Sequence, residues 1–135
     1  MRRAVLDPNV LISAYISPRG APARLFELSL NGELRLVLSP RLLAELDRVL
    51  RHGRGLERYR EPARIEAFLA AVRMCGEMHC DQSDPPHLSR DASDDYLVVL
   101  AGQAAVQLVS GDPDLTRPGL ALSPRQFLDD LLPDD

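Results

Sequence analysis

The chain has 135 residues, 45% of them apolar and 27% charged, with a formal net charge of −4. That length fits a single domain, residues 1–135, able to fold without a metal or disulfide staple, and no run approaches the ~18 apolar residues of a membrane span. All 16 basic residues are Arg, which excludes a phosphate-loop lysine, a Schiff-base lysine and the lysine many phosphotransfer enzymes place beside their aspartates.

The apolar segment after Met1-Arg2-Arg3 meets Asp7 too soon for a signal-peptide core, so a soluble cytoplasmic domain is expected. Residues 3–6 (RAVL) read as a short strand feeding a turn at Asp7-Pro8-Asn9, followed by a short helix to Ile16 with proline in its first turn. Ser17 to Gly20 breaks the chain, and residues 21–30 read as a helix ended by Asn31-Gly32. Residues 34–38 (LRLVL) form a strand, and Ser39-Pro40 opens a helix to about Arg51. Residues 51–60 (RHGRGLERYR) read as an exposed, arginine-dense loop. An amphipathic helix follows over 61–74, with Ile65, Phe68, Leu69 and Val72 on one face.

The stretch from 75 to 86 carries no clear pattern. Residues 93–106 read as a buried helix, with two strands as the lesser alternative, 107–110 as a strand, 111–114 as a turn and 120–122 as a last strand, with Ser123-Pro124 capping a closing helix to Leu132. Strands alternating with helices predict an α/β sandwich with a mostly parallel sheet, whose ligands sit outside the carboxyl ends of its strands.

Acids gather where that architecture puts ligands. Thirteen of the 20 acids are Asp. Two strands run into Asp7 and Asp112, the group Asp91, Asp94 and Asp95 opens the buried helix, and Glu45 lies on the helix after Ser39-Pro40. Each has a plain structural reading. Asp7 caps a helix, Asp94 and Asp95 suit a helix N-terminus, Asp112 and Asp114 flank a turn proline, and Glu45 pairs with Arg41 or Arg48 on a solvated face. Glu45 and Asp47 flank the core stripe of their helix on opposite sides, and periodicity does not choose between them. Together the plain readings are costly. Two carboxylates ~4 Å apart repel by about 4 kcal/mol at an effective dielectric near 20, against a domain stability of about 5–15 kcal/mol. Divalent cations remove that cost, and oxygen-only ligands suit Mg²⁺ or Mn²⁺ rather than Zn²⁺. Cys75 and Cys80, with His79 and His87 nearby, are half a zinc site at the edge of the usual spacing; two free thiols are the simpler reading.

Residues 5–14 (VLDPNVLISA), 38–46 (LSPRLLAEL), 90–96 (RDASDDY) and 108–115 (LVSGDPDL), in that order, resemble the four motifs of the PIN-domain family, and 122–128 is similar to the family's usual end. The resemblance spans nearly the whole chain. It implies a three-layer sandwich with a five-stranded parallel sheet between helices, and metal-dependent endoribonuclease activity, often as the toxin of a toxin–antitoxin pair. Toxin-type relatives commonly form homodimers.

Carried over by motif, the acidic site falls on Asp7, Glu45, Asp94 and Asp112. Asp94 is preferred to Asp95 by its spacing to Ala101 and Asp112, and Asp91, Asp95 and Asp114 are outer-ligand candidates. Asn9 and Ser110 shape the pocket. Pro8 departs from the family's usual Thr or Ser and removes a hydroxyl and a backbone N–H beside Asp7. The expected chemistry is two-metal hydrolysis of RNA by Mg²⁺ or Mn²⁺, with Arg51, Arg54, Arg58 and Arg60 as a candidate rail for the RNA. The competing readings are a metal-dependent phosphohydrolase of small phosphate esters and a non-catalytic PIN-like interaction module.

Overall fold

Four parallel strands carry the molecule: β1 (Arg2–Leu6), β2 (Leu34–Leu38), β3 (Gly76–Met78) and β4 (Gln107–Val109), in the order β3-β2-β1-β4. The computed structural model describes residues 1–82 and 95–132. The helices are α1 (Pro8–Ile16), α2 (Ala21–Leu30), α3 (Pro40–His52), α4 (Pro62–Met74), α5 (Asp95–Ala104), α6 (Pro113–Thr116) and α7 (Pro124–Leu131), with a 3₁₀ turn at Glu57–Tyr59. No helix among the described residues is long and apolar enough to cross a membrane.

The inner strands are apolar on both faces, as strands buried under helices must be. Ala4, Val5 and Leu6 of β1 and Leu36, Val37 and Leu38 of β2 are all buried. Helix α5 packs on β1, β2 and β4, while α2 packs on β2 and α7, and α3 joins α1 to α4. Four helices begin alike. Asp7, Ser39, Asp112 and Ser123 each accept a hydrogen bond from a backbone N–H of the first turn, and each is followed by proline at the first helical position. A side-chain oxygen satisfies a donor the helix leaves open, and proline has no N–H to lose there.

The expected fifth strand over 120–122 is corrected to a single parallel bridge. Leu122 donates to Leu108 O at 3.0 Å and accepts from Ser110 N at 2.9 Å. Ser123 at once turns its hydroxyl to capping α7, and Pro124 has no N–H to extend the ladder. In the other direction, β3 has no signal in the sequence. It is three residues on the sheet edge, too short to show alternation, and Arg3 ties it to the centre by gripping Glu77 at 2.8 and 2.9 Å. That grip, with a further hydrogen bond from His79, holds the Glu77 carboxyl at about 2. Helix α6 begins inside the turn expected at 111–114, and the loop expected over 51–60 includes the 3₁₀ turn at Glu57–Tyr59. Cys75 and Cys80 are free thiols on either side of β3; His87 lies outside the described residues.

Glycine is required at position 76. A Cβ there would lie 2.4 Å from Leu38 Cδ1 and 2.9 Å from the Leu36 carbonyl oxygen. Gly76→Ala is therefore expected to cost about 1–3 kcal/mol in urea unfolding, the usual size of overpacking; an unchanged midpoint would contradict the packing described for the β2–β3 pair.

Candidate acidic site at the carboxyl edge of the sheet

From β1 the chain order runs through β2 to β3 on one side, and β4 lies on the other. The β1–β4 junction is thus the switch point of the sheet, where parallel α/β folds open a crevice. Register places the candidate residues there. Leu6 pairs with Val109, so Asp7 and Ser110 leave adjacent strand ends together, and the Asp7 N–H donates to Val109 O at 2.9 Å.

The Asp7 carboxylate is 4% exposed and uses its two oxygens differently. Oδ1 accepts from the backbone of Asn9 at 3.0 Å, and Oδ2 accepts from the Ser110 hydroxyl at 2.7 Å. Capping and site-building are thus one arrangement, not alternatives. Proline at position 8 is accommodated because the capping donor is the next N–H along. Asn9 supplies it from the backbone, and its side chain is exposed. The fully buried Ser110 hydroxyl donates to Asp7 and accepts from the Asp112 N–H at 3.1 Å. Asp112 is half-buried, and its Oδ1 accepts from Asp114 N at 2.9 Å. One hydroxyl therefore joins the Asp7 carboxylate to the backbone that carries Asp112.

Glu45 approaches from α3. Its Oε2 accepts from the Tyr96 hydroxyl at 2.8 Å, and its Oε1 lies 3.8 Å from Arg48. Asp47, its rival by periodicity, pairs instead with Arg51 at 2.8 Å. Burial raises the Asp7 carboxyl above its usual 3.8; the two hydrogen bonds oppose that shift, and repulsion from Glu45 and Asp112 adds to it. The Tyr96 phenol is raised by burial, then by its bond to Glu45 and the charges of Glu45 and Asp7. It stays a neutral donor at physiological pH.

Asp95 is buried at the start of α5, one residue before Tyr96. Asp91 and Asp94 lie outside the described residues. Among the described residues, no group of three or more His, Cys, Asp or Glu side chains is arranged to hold a metal ion. By donor type alone, Asp7, Glu45 and Asp112 fit a hard divalent cation. They are oxygen donors only, the charges of Glu45 and Asp112 act on the buried Asp7, and no cationic side chain among the described residues is paired with it.

The proposed arginine rail divides. Arg51 pairs with Asp47 and Glu66, and Arg60 donates to the carbonyls of Leu50 and Gly53, closing the end of α3. Arg54 and Arg58 are exposed. Sequence reasoning passed over Tyr96 as a partner of Glu45, and Arg41, whose guanidinium lies 4.3 Å from the centre of the Tyr96 ring. A buried tyrosine directly after an acidic run at a helix start is the signal that could have found the first.

A family model described as PIN domain matches residues 3–114. The chain belongs to the PIN-domain family. No curated protein matches it. Among solved structures, PAE2754 from Pyrobaculum aerophilum is similar with a TM-score of 0.66 and 17% identity, over 98% of this chain and 91% of that one. VapBC2 from Rickettsia felis, crystallised with a DNA fragment from its promoter, is similar with a TM-score of 0.59 and 14% identity, over 90% of this chain and 96% of that one. At these identities the likeness shows the PIN fold, an α/β sandwich around a parallel sheet, and PIN domains are generally nucleases.

The raised Asp7 carboxyl has a signed consequence. The folded protein holds this proton more tightly than the unfolded chain does, so ionising Asp7 destabilises the fold. Its contribution declines as pH rises from about the unfolded value of 3.8 through the raised folded value. Asp7→Asn, neutral at every pH, is expected to melt above the unaltered protein in chelator at pH 7, with the gap closing as pH falls toward 3.8. Thermal melts across pH test this; a lower melting temperature for the variant at pH 7 would contradict it.

Proposed function

We propose that the chain is a cytoplasmic, divalent-metal-dependent endoribonuclease that hydrolyses RNA phosphodiester bonds, acting as the toxin of a toxin–antitoxin pair. The observation that carries this reading is the Ser110 hydroxyl linking Asp7 to Asp112 at the switch point, with the charge of Glu45 reaching the same carboxylate. Membership of the PIN-domain family supports the nuclease chemistry. The fold likeness to VapBC2, a complex crystallised with promoter DNA, supports a cognate antitoxin as partner. A homodimer is part of the same proposal.

Asp7, Asp112, Glu45 and an acid at position 94 or 95 would hold Mg²⁺ or Mn²⁺, with Asp91 and Asp114 further out. When bound, such ions polarise the scissile phosphate, favour an attacking hydroxide and stabilise the leaving 3′ oxygen. The chain's own residues prepare the site. Ser110 and the Asn9 N–H fix both oxygens of Asp7, so its lone-pair directions are set before any ligand arrives. Tyr96 holds one oxygen of Glu45 and leaves the other to Arg48 and solvent. Burial of Asp7 keeps bulk water from screening its charge.

The test is single-stranded RNA incubated with the protein in Mn²⁺, in chelator, and with Asp112→Asn. Cleavage is expected in Mn²⁺ alone, lost by at least a hundredfold in the variant while its circular dichroism is unchanged. Mn²⁺ at 100 times its Kd should also stabilise the unaltered protein by about 2.7 kcal/mol. Equal cleavage in chelator would defeat the metal reading. Turnover of nucleotides or sugar phosphates with RNA left intact would favour the phosphohydrolase, and no Mn²⁺ binding with RNA uncut the interaction module.

A further inference from the structure

The net charge is negative, and two of the four arginines first expected to meet RNA are engaged in holding the end of α3. A nuclease still needs cations where the nucleic acid backbone runs. Positions 41, 45 and 48 follow one another at helical spacing along α3, so Arg41 and Arg48 stand one turn either side of Glu45 on a single stripe. With Ala44 they line an open hollow of about 320 Å³ beside the acidic site.

We propose that Arg41 and Arg48 form a phosphate clamp that grips the backbone of single-stranded RNA next to the bond being cut. This inference rests on the nuclease reading and names the part of the site that meets its substrate.

Three observations carry it. First, the two guanidinium groups are available. Arg48 is 64% exposed and reaches Glu45 only at 3.8 Å. Arg41 is exposed and makes no ion pair among the described residues. Second, Arg41 is seated. Its guanidinium lies over the Tyr96 ring, and Tyr96 is itself fixed by its hydrogen bond to Glu45. A guanidinium stacked on a ring spends its face and leaves its edge N–H donors for a phosphate. Third, the spacing suits a strand rather than a point ligand. Seven residues of helix separate the two by ~10 Å along the axis, with Glu45 between them. Arg54, by contrast, follows the far end of α3, roughly 10 Å or more from Glu45 along that axis.

The test is the salt dependence of binding, measured in chelator with a fluorescent single-stranded RNA and the cleavage-deficient Asp112→Asn protein. Each phosphate contact on a single strand contributes about 0.7 to the slope of log affinity against log salt. Adding Arg41→Gln and Arg48→Gln is expected to reduce the slope by about 1.4 and to weaken binding at least tenfold. Arg24→Gln, on the exposed face of α2, is expected to change neither. A slope unmoved by the Arg41 and Arg48 changes overturns the clamp. So does a slope that falls only with Arg54→Gln and Arg58→Gln, or an Asp112→Asn protein that binds no RNA. Cleavage by the unaltered protein is scored separately. If it cleaves RNA while the slope is unmoved, the clamp alone fails; if the slope falls but no RNA is ever cut, the nuclease reading fails and the RNA contact stands.

Discussion

A carboxylate that is 4% exposed, with two other carboxylates acting on it and no cation paired with it among the described residues, governs this molecule. A buried charge is normally paired or neutralised by a shifted proton equilibrium. Among the described residues, Asp7 is relieved only by two hydrogen bonds, and they do not cancel its burial. The fold therefore holds unfavourable charge at the one place where its sheet opens. An external partner of opposite charge would relieve that cost, and structural cost concentrated at a functional position is a common pattern in proteins.

The rest of the chain serves to keep that position fixed. Asp7 and Ser110 are adjacent because β1 and β4 pair with Leu6 opposite Val109, and a slip of one residue would turn every side chain to the other face. The register is held by the buried apolar strands on either side of β1. The corners after the strands add a second constraint. Asp-Pro or Ser-Pro starts a helix at each of four places, and only at the two Asp corners does the cap also leave a charge at the crevice. The same backbone solution thus provides two corners that only cap and two that also set a carboxylate at the carboxyl edge of the sheet.

Much of this was legible beforehand. Helices α2, α3 and α7, and strand β2, fall where capping residues, prolines and apolar runs place them, because those signals are local. What escaped was whatever depends on neighbours distant in sequence. Strand β3 is too short for alternation and exists through pairing with β2 and the reach of Arg3 to Glu77. The expected fifth strand shrinks to one bridge because Ser123 and Pro124 already belong to the next helix. Glu45 and Asp47 were indistinguishable by periodicity; what separates them is Tyr96, fifty-one residues away from Glu45. Arg51 and Arg60 read as solvated cations, and the structure turns them into fastenings of α3. The acidic candidates Asp91 and Asp94 lie outside the described residues.

The central claim is that Asp7 ionises against the charge of its neighbours. Carboxyl-carbon NMR of the metal-free protein, titrated with acid, reads it directly. The account predicts that Asp7 titrates above the ordinary aspartate value, and that removing the charge of residue 112 with Asp112→Asn moves it downward. An Asp7 that titrates at or below the ordinary value, and ignores that substitution, would contradict it.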